Sequence, residues 1–225
     1  NFAILGYTNS PGLSSGNTDF YLIMINNDGE LLFERSYGNK EFPNHEWGYD
    51  IIELYDNSLI MVGARDRYLN GGKNILMLRI NHNGDILWEK EIISEENTDE
   101  IAYSISKDNA GGYFIITGEN TNSNKEIYNP SILKIDSFGN IEWRRRYESN
   151  SREYHQFKST TTNSGDLIIV GSSVVQSSLG ENTNAFLTKF NKNGDIIWTR
   201  PYGTPDNDDW GWSVFEKPNQ SLILI

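Results

Sequence analysis

The residues best suited to chemistry recur at one position. Glu46-Trp47-Gly48-Tyr49, Glu100-Ile101-Ala102-Tyr103, Glu153-Tyr154-His155-Gln156 and Asp209-Trp210-Gly211-Trp212 each begin with an acid, and an aromatic follows it in all but the second. Grouped carboxylates bind a cation or hydrogen-bond a sugar, and aromatic rings stack on the sugar's apolar face. Glu46, Trp47, Glu100, Glu153, Asp209 and Trp210 are therefore the candidate ligand-binding set. The same acids can instead satisfy backbone N–H groups where a strand begins, a duty that every copy would share. Ile101 and His155 break the identity of the set, which favours the structural duty. A glycosidase would need two of the four acids about 5–9.5 Å apart, in an open pocket lined by Trp47 or Trp210.

Other chemistry finds little support. Asp206-Asn207-Asp208-Asp209 gathers oxygens as a calcium loop would, but it lacks the spaced glycine and distal bidentate glutamate, so a solvated loop is expected. Calcium is the one cofactor left open, and none is expected. His45, His82 and His155 fall in different copies of the repeat and form no zinc-ligand pair by spacing. The absence of cysteine removes thiolate metal sites, disulfides and a cysteine nucleophile. No nucleophile signature or phosphate-cradling glycine loop is seen, so no catalytic residue is assigned and a non-enzyme is expected.

The elements that position these residues are read from a repeat. Gly29, Gly84, Gly139 and Gly194 are spaced by 55, and four residues after each stands a large aromatic: Phe33, Trp88, Trp143 and Trp198. A second series, Gly6, Gly63, Gly118 and Gly171, ends an apolar run each time at intervals of 57, 55 and 53, so only loops vary in length. Alternation and turn signals divide the second copy into strands over 47–54, 59–64, 74–81 and 86–92, with turns at Asp56-Asn57-Ser58 and Asn83-Gly84. The latter reads as a two-residue hairpin turn with both central residues at positive φ. Four short antiparallel strands make one propeller blade, and nothing in the chain reads as a helix.

The fold class expected is all-β: a β-propeller of four-stranded antiparallel blades, about four repeats of 55 residues. Repeat boundaries fall near 1–46, 47–99, 100–152, 153–208 and 209–225, within a single domain over 1–225. A lone meander cannot bury both faces, so blades must stack, and the recurring aromatic is expected to wedge between them. The acids at the start of each first strand would then gather around a central channel. The chain starts at the second strand type and ends after it, which gives 17 strands where four blades need 16. That surplus, an Asn1 start without methionine and a stop within Leu222-Ile223-Leu224-Ile225 point to a stretch of a larger wheel. A four-bladed ring sealed by the two termini is the alternative.

A net charge of −12 argues against phosphate-backbone binding, so nucleic acid is not an expected partner. Arg144-Arg145-Arg146 lies in a strand, where alternate side chains point to opposite faces, and forms no single patch. No apolar run approaches the roughly 18 residues that span a bilayer, so no membrane insertion is expected.

The stretch Leu133-Lys134-Ile135-Asp136-Ser137-Phe138-Gly139-Asn140-Ile141-Glu142-Trp143 resembles the repeats of bacterial propellers in large secreted and cell-surface proteins, and the tryptophan-docking repeat of pyrroloquinoline-quinone-type propellers. The resemblance covers the whole chain and implies fold more than function. Quinone-dependent dehydrogenases of that type often carry a vicinal disulfide and have eight blades, which this cysteine-free chain does not match. The Asp box of sialidase-type propellers has a shorter glycine-to-aromatic step than Gly139 to Trp143, and neither pair of the Trp-Asp repeat recurs. The function expected is that of a non-enzymatic, monomeric scaffold or binding module of the secreted or surface bacterial type, extracellular or on the cell surface, whose protein or glycan ligand is met by the loops at 66–73, 120–129 and 172–184. The alternative is a carbohydrate-active or glycan-binding propeller that uses the acids and aromatics above.

Overall fold

The computed structural model describes residues 1–14, 17–39, 44–66, 72–93, 98–120, 129–147, 153–177, 180–204 and 207–225, apart from the side chains of 153–156 and 176–177. These residues form 17 strands. The first sheet has three: β1 (Phe2–Thr8), β2 (Asp19–Ile25) and β3 (Leu31–Tyr37). Three four-stranded meanders follow. They are β4 (Glu46–Glu53), β5 (Leu59–Asp66), β6 (Lys73–Ile80) and β7 (Ile86–Ile92); β8 (Asp99–Lys107), β9 (Tyr113–Asn120), β10 (Asn129–Ile135) and β11 (Ile141–Arg146); and β12 (Glu153–Thr161), β13 (Leu167–Ser177), β14 (Gly180–Phe190) and β15 (Ile196–Tyr202). The hairpin of β16 (Val214–Glu216) and β17 (Leu222–Leu224) ends the chain. Every pairing is antiparallel. The chain divides into two compact units, Asn1–Ala102 and Tyr103–Ile225.

The middle strands carry the apolar content. Most of β5, β6, β9 and β10 is buried on both faces, as their near-continuous Ile, Leu, Val and Met require. The outer strands β3, β7, β11 and β15 are mostly exposed, with one to three half-buried positions in each. In the first unit one core joins Phe20, Leu22, Leu59, Met61, Leu76 and Leu78, with Phe33 packed against it. In the second, Ile168, Val170, Leu187 and Val214 form a core that receives Trp198, Leu222 and Leu224.

The glycine turn differs from the sequence expectation. Among the described residues only Asn57 and Gln220 take positive φ without being glycine, so Asn83 does not, whereas Gly84 does at 83°. The loop is three residues long: Gly84 N–H donates to Asn81 O at 3.0 Å, Asn81 N–H donates to Asp85 O at 2.9 Å, and the register slips between Arg79 and Ile80. This is a type I turn closed by a left-handed glycine bulge. The cause lies one residue before the turn. Asn81 Oδ1 accepts the N–H groups of Asn83 and Asp85, each at 2.9 Å, and fixes the right-handed pair that a mirror-image turn would exclude. Asn26, Asp136 and Asn191 do the same in the other copies.

A second difference concerns 172–184. It is no loop but an extended hairpin, with β13 and β14 paired as far as Ser177 opposite Gly180. Most of the other two expected loops, at 66–73 and 120–129, lies outside the described residues.

Both glycine series serve sheet packing. A Cβ on Gly84 would lie 3.0 Å from the Phe33 ring, and one on Gly194 would lie 2.9 Å from the Trp143 ring. The glycine of one sheet is therefore seated on the aromatic of the sheet before it, within the first unit and again within the second. Tyr37 and Tyr147 add a hydroxyl to the carbonyls of Gly84 and Gly194 at 2.9 and 2.6 Å, and Arg35 and Arg145 reach Asp85 and Asp195 at 3.0 and 2.7 Å. Two members of the other series, Gly6 and Gly171, offer carbonyls that two further glycines approach closely. A Cβ on Gly48 would meet the Gly6 carbonyl at 2.8 Å, and one on Gly211 the Gly171 carbonyl at 3.0 Å. The arginine run splits as its alternation requires: Arg145 faces Asp195, and Arg146 pairs with Glu119 on its own sheet.

Candidate functional site

Glu46 and Glu100 lie in the first unit, Glu153 and Asp209 in the second. Glu46 opens β4, directly opposite Arg65 on β5. Its N–H donates to the Thr18 carbonyl at 2.7 Å, which ties β4 to the start of β2 in the preceding sheet. Its side chain is fully buried and accepts Arg65 Nε–H at 2.9 Å, while its second oxygen makes no hydrogen bond. The other side of the guanidinium is held from β7, where Glu89 lies 2.6 Å and Glu91 3.2 Å from Nη1. One cation thus serves three carboxylates. Burial pushes the Glu46 carboxyl up to about 7 against the opposing pull of Arg65. The chemistry available is a proton held inside the sheet, since a fully buried carboxylate touches no ligand.

Trp47 follows on the opposite face of β4 and is half-buried. His45 stacks on its ring at 5.6 Å, and the Lys73 ammonium lies 4.7 Å from the ring centre. Glu100, on β8, is 1% exposed. Glu153 opens β12 opposite Ser173, and its side chain lies outside the described residues.

Asp209 precedes β16 and repeats the backbone role of Glu46, since its N–H donates to the Thr183 carbonyl at 2.7 Å. Its Oδ2 accepts the Thr204 N–H at 2.7 Å. Asp208 Oδ1 accepts the Thr183 N–H at 2.7 Å, the part that His45 Nδ1 plays for Thr18 at 3.3 Å. The stretch expected to be a solvated loop is, in its described residues Asn207, Asp208 and Asp209, tied to Asn182 and Thr183 of β14 and to Thr204, and Asp206 lies outside the described residues. Trp210 is different. It is 42% exposed beside Trp212, 54% exposed, with ring centres 6.5 Å apart and planes inclined by 32°. Gly211 between them is anchored by its N–H to Ser172 Oγ at 3.0 Å.

Two clefts lie beside the seated turns. That in the first unit has about 890 Å³ and is mostly apolar, lined by Phe2, Met24, Leu32, Phe33, Ile51 and Leu59 near His82. That in the second unit has about 350 Å³ and is charged, with Asp108, Lys134, Glu142 and Lys192 around Trp143. Two clefts at matching places with opposite chemistry do not make one repeated binding site. Among the described residues no group of three or more His, Asp or Glu is placed to hold a metal ion.

Sequence reasoning missed Arg65, Glu89, Glu91 and Trp212. Trp212 had a signal, because two residues after Trp210 in extended chain it shares its face. Arg65 had a weaker one, as the basic residue at the end of the strand that pairs with the Glu46 strand.

No family model matches the chain, and no curated protein does. Among solved structures it is similar to an endo-1,4-β-xylanase from Bacteroides thetaiotaomicron at 11% identity and a TM-score of 0.45, over 91% of this chain and 77% of that one.

Proposed function

We propose that this chain is a run of propeller blades acting as a rigid, non-enzymatic binding scaffold of the secreted or surface-exposed bacterial type. The tandem meanders and the turn-on-aromatic seating repeated in each unit support the propeller reading. One observation supports the non-enzymatic reading: the side chains of Glu46 and Asp209, two acids at the recurring position, are bonded to the fold rather than turned to a ligand. Glu46 is sealed under Arg65, and Asp209 binds the backbone of Thr204. The test is reducing-sugar release from a panel of polysaccharides by the purified chain. No release is expected, and release abolished by Glu46→Gln or Asp209→Asn would overturn the reading. Metal is not required on this view, so EDTA should leave the thermal transition unmoved.

A glycan is the ligand class that a second observation favours. Trp210 and Trp212 present two exposed indole rings side by side, an arrangement suited to stacking on the apolar face of a sugar. A glycan array with the intact protein should give binders that Trp210→Ala and Trp212→Ala each lose by roughly tenfold or more. An array without binders would remove the glycan and leave the scaffold, and binding unchanged in both variants would remove Trp210 and Trp212 as its platform.

A further inference from the structure

Two of the four glycine turns carry the sequence Asn-Gly-Asp: Asn83-Gly84-Asp85 between β6 and β7, and Asn193-Gly194-Asp195 between β14 and β15. The other two place Asp28 and Phe138 before the glycine. An asparagine before glycine has a reaction available within its own main chain. The glycine nitrogen gives up its proton to solvent and attacks the side-chain amide carbon, closing a five-membered imide, while the side-chain nitrogen takes up a proton and leaves as ammonia. Water then opens the imide at either carbonyl. One opening leaves aspartate; the other leaves isoaspartate, whose main chain runs through Cβ and is one methylene longer. In sum one water is consumed and one ammonia released, with no oxidation or reduction. Glycine permits this most readily because no Cβ crowds its nitrogen.

In this fold both turns are held off that path. Asn83 and Asn193 are exposed to the water that would open the imide, but the glycines beside them are buried. The attacking nitrogens are engaged through their protons, since Gly84 N–H donates to Asn81 O at 3.0 Å and Gly194 N–H to Asn191 O at 2.9 Å. The glycine carbonyls are engaged as well. Tyr37 donates to Gly84 O at 2.9 Å and Tyr147 to Gly194 O at 2.6 Å, and Arg35 Nη1 adds a second bond to Gly84 O at 2.6 Å. Burial pushes both tyrosine hydroxyls up to about 12, so they remain donors in the alkaline solution that favours cyclisation. Each asparagine N–H is bonded to the amide oxygen two residues back, at 2.9 Å, in the second central position of a type I turn, where ψ is about 0°. Closing the imide swings the side-chain carbon over the next nitrogen and needs a different ψ, which a glycine pressed on Phe33 or Trp143 does not follow.

We propose that Asn83 and Asn193 are deamidation sites gated by the seating of their turns: cyclisation proceeds from the unseated turn, and the isoaspartate formed there keeps the turn from seating again. The added methylene displaces the glycine from its tyrosine partner and from the ring beneath it. A passing opening between two sheets of one unit thereby becomes permanent. This goes beyond the scaffold reading and rests on neither it nor the glycan.

The test is peptide mass mapping of the intact chain during incubation in mildly alkaline buffer, folded and in guanidinium chloride, with isoaspartate counted by enzymatic methylation. In denaturant the two sites share the tripeptide Asn-Gly-Asp and should react alike. In the folded chain both should be slower by roughly tenfold or more, because reaction waits on local opening. Tyr37→Phe should speed the folded reaction several-fold at Asn83 and leave Asn193 as it was, and Tyr147→Phe should do the reverse. The isoaspartate fraction of an aged chain should unfold at lower urea than the fresh chain. The Asn83→Asp variant, which has the new charge without the methylene, should unfold close to the fresh chain. Equal rates in the folded and denatured chain overturn the proposal, as does a chain that keeps both amides even in denaturant. So do tyrosine variants that leave their own site unchanged or speed both sites, and an isoaspartate fraction as stable as the fresh chain.

Discussion

Glu46 is the residue with the most to say about pH. Its carboxyl ordinarily titrates near 4.5, and burial raises it to about 7 in the folded chain. The folded state therefore binds this proton more tightly than the unfolded state does. The stabilisation is complete below about pH 4.5 and is lost as pH rises through 7. Urea midpoints taken between pH 4.5 and 8 should fall as pH rises, on the order of 2 kcal/mol in total. Glu46→Gln should remove that slope. Asp85 and Asp195 act in the opposite direction and in another window. Hydrogen bonds from Arg35 to Asp85, and from the Asn191 amide and then Arg145 to Asp195, hold both carboxyls below their ordinary 3.8. Their effect on stability is confined to more acid solution. A slope of the wrong sign between pH 5 and 7 would mean that Arg65 outweighs burial at Glu46.

At the scale of the element, the unit of design is the turn and the aromatic beneath it. Alanine at Gly29 has only the left-handed backbone to contend with, a cost of about 1–2 kcal/mol. Alanine at Gly84 or Gly194 adds a methyl inside van der Waals contact with Phe33 or Trp143, which costs about 1–3 kcal/mol more. Denaturant unfolding of the three variants should rank Gly29→Ala well above the other two in stability, and equal losses would mean that the seating contributes nothing. The spacing of these glycines was legible in the sequence, and the strand limits read from it agree with β4 to β7 within a residue or two. Their partners were not legible. A list of residues sets Gly29 next to Phe33, but the contact runs from Phe33 to Gly84, across the sheet boundary, and from Trp143 to Gly194. The turn type was misread for a similar reason. Asn83-Gly84 taken alone signals a mirror-image turn, and only the bonds of Asn81 reveal the longer loop. Asn81 pairs with Asp85, Asp136 with Asn140 and Asn191 with Asp195, so an amide faces a carboxylate each time and the order alone reverses. The acids of the candidate site were found by their recurrence. Their function was not, because recurrence marks a shared structural duty as readily as a shared ligand.

At the scale of the molecule, burial is uneven along the chain, and this sets where it opens. β5 and β9 are buried nearly throughout, and each is paired on both sides. β1 is a sheet edge with Phe2, Ile4 and Tyr7 about half exposed or more, and β16 and β17 pair over three residues only. A sheet with fewer strands and shorter pairing has less to lose on opening. The backbone adds to this at the end of the chain. Gln220 takes φ 64° without the freedom of glycine, a strained position at about 1–2 kcal/mol. Hydrogen exchange should therefore show the amides of β16 and β17 exchanging first and those of β1 next. Those of β5 and β9 should lag by roughly two orders of magnitude or more, since each tenfold in protection is about 1.4 kcal/mol of opening free energy. Gln220→Gly should slow exchange in the last hairpin and leave the first unit as it was. Uniform protection from β1 to β17 would mean that the chain opens only as a whole, with the terminal sheets supported as fully as those in the middle.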